Sequence, residues 1–407
     1  MQKKFILVSS LILLIFLTAC TTTKDLSTEY SPQNGNWIDQ QMEYLTLNEK
    51  IGQMILMARR ATFLNENSDQ WKTIQHDIKD NNVFGYHFWG GDALTLYHYT
   101  KKMQKMAKTP LIFIADFERG AGFLVEGATT FPFNMAFGAA RDTQLAYQFG
   151  KYSARESRLM GINQIFNPVV DINNNPANPI INIRSFGETP KLVNEMATAY
   201  MRGCQSEDVS SCAKHFPGHG NTASDSHLSL PVIYSSKNEL QKMELCPFKK
   251  MIGEGVYSVM SAHISLPNIQ NEPGLPATLS SKMLNGLLRS ELNFDGVVYT
   301  DAMEMGGIVN NYTREYSYVQ AIKAGCDVLI NSGNISSDSI ITAIKMAVDK
   351  GYLSEARIDS SVRRILTLKK KLGLNNSRYS DLEKLEEQLA SDEIKNFARE
   401  AAEKGIT

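Results

Sequence analysis

Eight short apolar runs, most of them separated by a stretch of helical length and pattern, constrain this chain more than any other feature. They cover 51–57, 83–89, 110–115, 162–166, 209–213, 257–262, 296–300 and 326–330. Most are continuously apolar rather than alternating, the pattern of strands covered on both faces, and hence of a parallel sheet wrapped by helices. The stretches between them predict helices over 68–81, 93–106, 143–159, 192–205, 237–254, 280–292 and 316–324. Two more, over 340–350 and 357–372, close the pattern. Ahead of the first run, 37–45 reads as a helix, and Thr46 with Glu49 reads as the N-cap of the next. Eight such units predict a (β/α)8 TIM barrel within an α/β fold class, rather than an open doubly wound sheet. No glycine-rich G-x-G-x-x-G follows the first run, which argues against a dinucleotide fold.

Polar residues recur just past the runs. Asp116, Glu118 and Arg119 follow the third, Asp301 follows the seventh, and Asn331-Ser332-Gly333 follows the eighth. The richest cluster follows the fifth: Lys214-His215-Phe216-Pro217-Gly218-His219-Gly220, then Asp225-Ser226-His227. Pro217 and the glycines forbid a helix there, so a loop is expected, leaving a buried strand where α/β proteins hold their active sites. His215 and His219 have the i, i+4 spacing of a metal pair, but Pro217-Gly218 excludes the helix such a pair requires. Neither a metal nor a cofactor is expected.

A formal net charge of -1 gives no electrostatic ground for binding nucleic acid or an anionic membrane surface. The N-terminus reads as a targeting segment. Lys3 and Lys4 precede an apolar run over 5–17, and Leu17-Thr18-Ala19-Cys20 resembles a bacterial lipobox. The expectation is a lipoprotein signal peptide over 1–19, a lipid on Cys20 and a polar linker over 20–36. The barrel would then span 37–372, tethered to the membrane by that lipid on the periplasmic or outer-membrane side of the cell envelope. Four further cysteines allow three pairings. Cys212 and Cys326 lie in apolar runs, where small buried hydrophobes are expected rather than a disulfide.

Several motifs, in order from about residue 46 to 370, resemble glycoside hydrolase family 3, and within it the bacterial β-N-acetylglucosaminidase branch. They are Asn167-Pro168-Val169-Val170-Asp171, Asn178-Pro179, Arg184-Ser185-Phe186-Gly187, the Lys214-to-His227 cluster, Ala262-His263 and Tyr299-Thr300-Asp301-Ala302-Met303-Glu304-Met305. The resemblance implies a TIM barrel and a retaining exo-β-N-acetylglucosaminidase acting on amino-sugar glycans of the muropeptide kind. It implies Asp301 as nucleophile and His227, paired with Asp225, as the proton donor. An imidazole suits that task because it titrates near neutral pH and a neighbouring carboxylate stabilises its charged form. By the same resemblance Asp116, Arg184, Lys214, His215 and His263 bind sugar hydroxyls; Asp171 and Glu188 read as structural or as supports behind the site.

Two departures stand out. The family's Asp-Gln-Glu-Gly-Gly-Arg segment is here Asp116-Phe117-Glu118-Arg119-Gly120-Ala121, without the arginine at its sixth position. The tail over 373–407 is expected to be helical, and its last residues, 397–407, resemble the opening of a second domain in longer members. Two alternatives stay open: a phosphorylase using the same site, and a glycan-binding lipoprotein with weakened catalysis.

Overall fold

The computed structural model describes residues 36–333 and 335–406. The proposed signal peptide, Cys20 and the linker up to residue 35 lie outside the described residues.

Nine strands form one parallel sheet: β1 (Ile55–Ala61), β2 (Gly85–Asp92), β3 (Ile112–Ala115), β4 (Val125–Glu126), β5 (Gln164–Ile165), β6 (Ser210–Phe216), β7 (Ser258–Ser261), β8 (Val297–Ala302) and β9 (Val328–Asn331). Two-residue β4 only extends the edge of β2. The other eight close on themselves, because β1 pairs with β9 on one side and with β2 on the other. The expected (β/α)8 barrel is therefore the observed fold. Its interior is packed with side chains rather than open, as in barrels of this size. Tyr299 on β8 stacks edge-on against Phe84 and Phe166 with centroids 5.9 and 5.2 Å away. Its hydroxyl donates to Gln164 Oε1 on β5 at 2.8 Å, so the one polar atom of that buried ring is satisfied.

The first run differs from its expected form. Its first two residues, Ile51 and Gly52, end a helix, Leu47–Gly52, opened by a capping box between Thr46 and Glu49, and the strand begins only at Ile55. The reciprocal cap satisfies two of the first turn's backbone donors and so fixes where that helix starts. The strand feeding the histidine loop is longer than expected, since Lys214, His215 and Phe216 still belong to β6. The stretch 237–254 divides into helices Lys237–Lys242 and Leu245–Gly253, and Pro247 sits in the first turn of the second. Proline is tolerated there because that turn's N–H groups have no helical acceptor.

The C-terminal tail folds against the barrel. Helix Asp392–Gly405 buries Ile394, Phe397 and Ala401. The Phe397 ring lies 5.6 Å from Phe131 and 5.0 Å from Tyr152. Ala390 N–H donates to the buried Glu156 carboxylate at 2.9 Å, and the Tyr152 hydroxyl donates to Glu393 at 2.8 Å. Cys204, Cys212 and Cys326 are buried free thiols and Cys246 is a partly buried one, in keeping with the expectation of small hydrophobes. No described helix is long and apolar enough to cross a membrane.

Candidate active site

A cavity of about 740 Å³ opens among the ends of the strands. Asp116, Arg184, Lys214, His215, His227 and Asp301 all line it. Six residues scattered over 186 positions of sequence thus meet because each follows, or ends, a strand of one closed sheet. At the floor is a charge lattice. Lys214 Nζ lies 2.8 Å from Asp116 Oδ1 and 2.8 Å from Glu118 Oε1. Arg184 grips Glu118 with two parallel bonds, Nε to Oε2 at 2.9 Å and Nη2 to Oε1 at 2.8 Å. His87 Nε2 approaches Asp116 Oδ2 at 2.8 Å. Two cations thereby offset two carboxylates, the condition under which buried charges are tolerated. Burial raises the Glu118 carboxyl, but Lys214 and Arg184 outweigh it and hold the group down at about 2. Asp116 is held further down by Lys214 and His87 against the same burial. Lys214 moves the opposite way, since its two carboxylates outweigh the cost of burying its charge.

Asp301 ends β8. Burial pushes its carboxyl up, yet the facing imidazoles of His215 and His263 and the Ala302 N–H, 2.8 Å from Oδ1, bring it below the usual carboxylate range. It is therefore ionised at neutral pH, with a free oxygen for bond formation. His215 is aimed by Asp171, which is fully buried and takes its Nδ1 at 2.8 Å and its backbone N–H at 3.2 Å. The same carboxylate accepts the His219 N–H at 2.6 Å.

His227 stands on the loop after β6 with its side chain 58% exposed, and its Nδ1 lies 2.7 Å from Asp225 Oδ1. Asp225 also accepts the His227 N–H at 2.8 Å, which fixes the pair. Burial pushes the Asp225 carboxyl up, and those two bonds outweigh it and bring it down. With Nδ1 engaged, Nε2 is the ring atom left for proton transfer. The loop is latched from two sides. His219 is buried, its Nδ1 2.8 Å from Thr222 Oγ1 and its Nε2 2.9 Å from Ser226 Oγ. Burial pushes that imidazole down to about 4, so it is neutral. From beyond Asp301, Gly306 N–H donates to the His227 carbonyl at 2.9 Å and Gly307 N–H to the Ser226 carbonyl at 3.2 Å. A Cβ on Gly306 would stand 2.6 Å from the Leu228 oxygen, so the glycine lets the two segments touch.

His263 is not brought to the cavity. It is fully buried, with Nε2 3.0 Å from the Ala302 carbonyl and Nδ1 2.9 Å from Thr278 Oγ1. The carbonyl can only accept, so Nε2 carries the proton and holds the end of β8, while Nδ1 is spent on Thr278. Ala121 is buried and does not line the cavity either. Cavity residues to which the sequence alone gave no role include His87, Glu118 and Trp89, the last 41% exposed with its ring 4.5 Å from that of His87. The alternation of β2 carried the signal, since His87 and Trp89 stand two residues apart and share a face. Among the described residues there is no cluster of histidine, cysteine and carboxylate groups arranged to hold a metal ion.

Residues 46–368 match the glycosyl hydrolase family 3 N-terminal domain. A curated relative from Cellulomonas fimi, a beta-N-acetylglucosaminidase/beta-glucosidase, is 34% identical over 313 residues, covering 75% of this chain and 55% of its own. This chain thus spans about half the length of that relative. A solved glycoside hydrolase family 3 beta-N-acetylglucosaminidase from Paenibacillus sp. str. FPU-7 superposes with a TM-score of 0.83 at 37% identity, over 89% of this chain and 69% of its own. A solved beta-glucoside phosphorylase, BglX, bound to 2FGlc superposes at 0.84 with 29% identity, over 91% and 68%.

Proposed function

Because this chain belongs to glycosyl hydrolase family 3, we propose that it is a retaining exo-β-N-acetylglucosaminidase, releasing terminal N-acetylglucosamine from peptidoglycan fragments or related β-linked glycans. The observation that carries the reading is that an ionised strand-end carboxylate, Asp301, and a carboxylate-paired imidazole, His227, line the same cavity.

In the first step an Asp301 oxygen attacks the anomeric carbon. The bond from that carbon to the leaving oxygen breaks, and the leaving oxygen takes the proton from His227 Nε2. Asp225 stabilises the imidazolium before transfer and orients the ring throughout. In the second step water attacks the same carbon and gives its proton to His227, and the ester bond to Asp301 breaks with its electron pair returning to the carboxylate. Two inversions leave the anomeric configuration unchanged. Asp116, Arg184, Lys214 and His215 bind the sugar hydroxyls at the floor; water excluded there strengthens each of those contacts.

The test is hydrolysis of an aryl β-N-acetylglucosaminide followed by proton NMR of the first-formed anomer. The β-anomer is expected, and Asp301→Ala is expected to abolish turnover. Unchanged activity in that variant, or first release of the α-anomer, ends the assignment. The likeness to a beta-glucoside phosphorylase favours one second reading, in which phosphate replaces water in the second step. An imidazole acid, unlike a carboxylate, does not repel the phosphate dianion. A sugar 1-phosphate product, and a rate that rises with added phosphate, would select it. The lipid anchor on Cys20 belongs to the same proposal, and a Cys20→Ala chain recovered free of membranes would support it.

A further inference from the structure

Among the described residues, the cavity holds one permanent cation without a carboxylate partner. Lys214 and Arg184 are each paired with carboxylates, but Arg119, which also lines the cavity, has no carboxylate within ion-pair distance among the described residues. It is nevertheless fixed in place. The Arg119 carbonyl accepts the Phe131 N–H at 2.8 Å, and Nε donates back to the Phe131 carbonyl at 3.2 Å. The guanidinium carbon lies 4.1 Å from the centroid of Phe133 and 5.5 Å from that of Phe123. Those ring faces strip water from the cation without supplying a counter-charge.

With Nε spent on the backbone, the edge left free is the pair Nη1 and Nη2, whose parallel N–H bonds match the two oxygens of a carboxylate. Phe123 is 46% exposed whereas Lys214 and His215 are nearly fully buried, so Arg119 sits on the aromatic wall toward the mouth. A terminal sugar held by the floor charges would extend its leaving part in that direction. We propose that Arg119 is a specificity-determining residue that binds a carboxylate on the leaving sugar, making acidic amino-sugar glycosides better substrates than neutral ones. The ring faces on either side suit the apolar face or methyl group of the sugar that bears this carboxylate. This inference rests on the glycosidase reading given above, whose own failure is read separately.

The experiment compares wild type, Arg119→Ala and Arg119→Lys on four disaccharides with terminal β-linked N-acetylglucosamine. The second sugar is N-acetylmuramic acid, its lactyl methyl ester, glucuronic acid or N-acetylglucosamine. In wild type the kcat/KM ratio of acid to ester is expected to be at least tenfold. In Arg119→Ala that ratio is expected to collapse by about 10- to 100-fold, the range for a hydrogen bond to a charged group. Arg119→Lys should recover part of it, since it restores the charge but not the fork. The glucuronic acid arm tells a lactyl carboxylate from a ring carboxylate. An equal loss on all four substrates would assign Arg119 to the terminal sugar and overturn the proposal, as would an unchanged ratio. Calorimetric binding of the same four sugars to Asp301→Asn and to Asp301→Asn/Arg119→Ala reads the ratio even where no hydrolysis occurs. Absence of turnover would therefore sink the glycosidase reading alone.

Discussion

Asp171→Asn isolates the role of a residue that no substrate touches. The carboxylate is fully buried and accepts three groups: His215 N–H at 3.2 Å, His215 Nδ1 at 2.8 Å and His219 N–H at 2.6 Å. Burial alone would raise its pKa, but His215 and the bonds from both histidines keep it lowered. Asparagine keeps the shape and one acceptor oxygen, while its amide NH2 is turned toward donors. An amide oxygen kept at the Oδ1 position still accepts both N–H groups, whereas His215 Nδ1 meets the NH2 and loses its acceptor. A hydrogen bond to a charged group is worth about 1.5–3 kcal/mol, so the His215 ring should lose about that much of its positioning. The effect lands on His215, which lines the cavity. The expected outcome is a 10- to 100-fold fall in kcat/KM on an aryl β-N-acetylglucosaminide, equivalent to about 1.4–2.7 kcal/mol of transition-state stabilisation. The thermal midpoint should fall by only a few degrees, because the barrel's packing is untouched. Steady-state kinetics and differential scanning calorimetry on the same preparation measure both. Activity within threefold of wild type would refute the idea that this buried carboxylate organises the site.

Other perturbations separate the remaining parts. Gly306→Ala puts a methyl group 2.6 Å from the Leu228 oxygen, so it should displace the His227 loop. It should slow substrates with poor leaving groups about tenfold or more, while substrates whose leaving group needs no proton are spared in the first step; equal slowing of both classes in single-turnover assays would contradict this. Phe397→Ala removes a buried ring wedged against Phe131 and Tyr152, and should cost about 3–5 kcal/mol in denaturant unfolding; a loss under 1 kcal/mol would mean the tail adds little to the barrel. The Glu118 carboxyl is lowered to about 2 in the fold. Its contribution to stability is fully present above its ordinary value of 4.5 and drains away as pH falls from there toward 2. Wild-type stability should therefore decline more steeply over that window than that of Glu118→Gln.

The barrel was legible because its determinants are local. Eight buried strands and their helices are written as runs of apolar residues, and once β1 pairs with both β9 and β2 no other closure is available. The boundary errors have equally local causes, such as the Thr46–Glu49 capping box, which starts the helix that takes in Ile51 and Gly52. Asp301, His227 and Lys214 could be named from motifs, because each sits at a strand end or in a loop within a short local pattern. What sequence alone did not decide was which side of a side chain faces the cavity. His263 follows a strand as Asp301 ends one, yet tertiary packing spends both its nitrogens on Thr278 and Ala302. Glu118 became central only when the fold set it between Lys214 and Arg184, residues 96 and 66 positions away in sequence. The apolar pattern fixes which segments are buried, since burial is read residue by residue. Partnership among charges depends on distances between segments far apart in the chain, and those exist only once the barrel has closed.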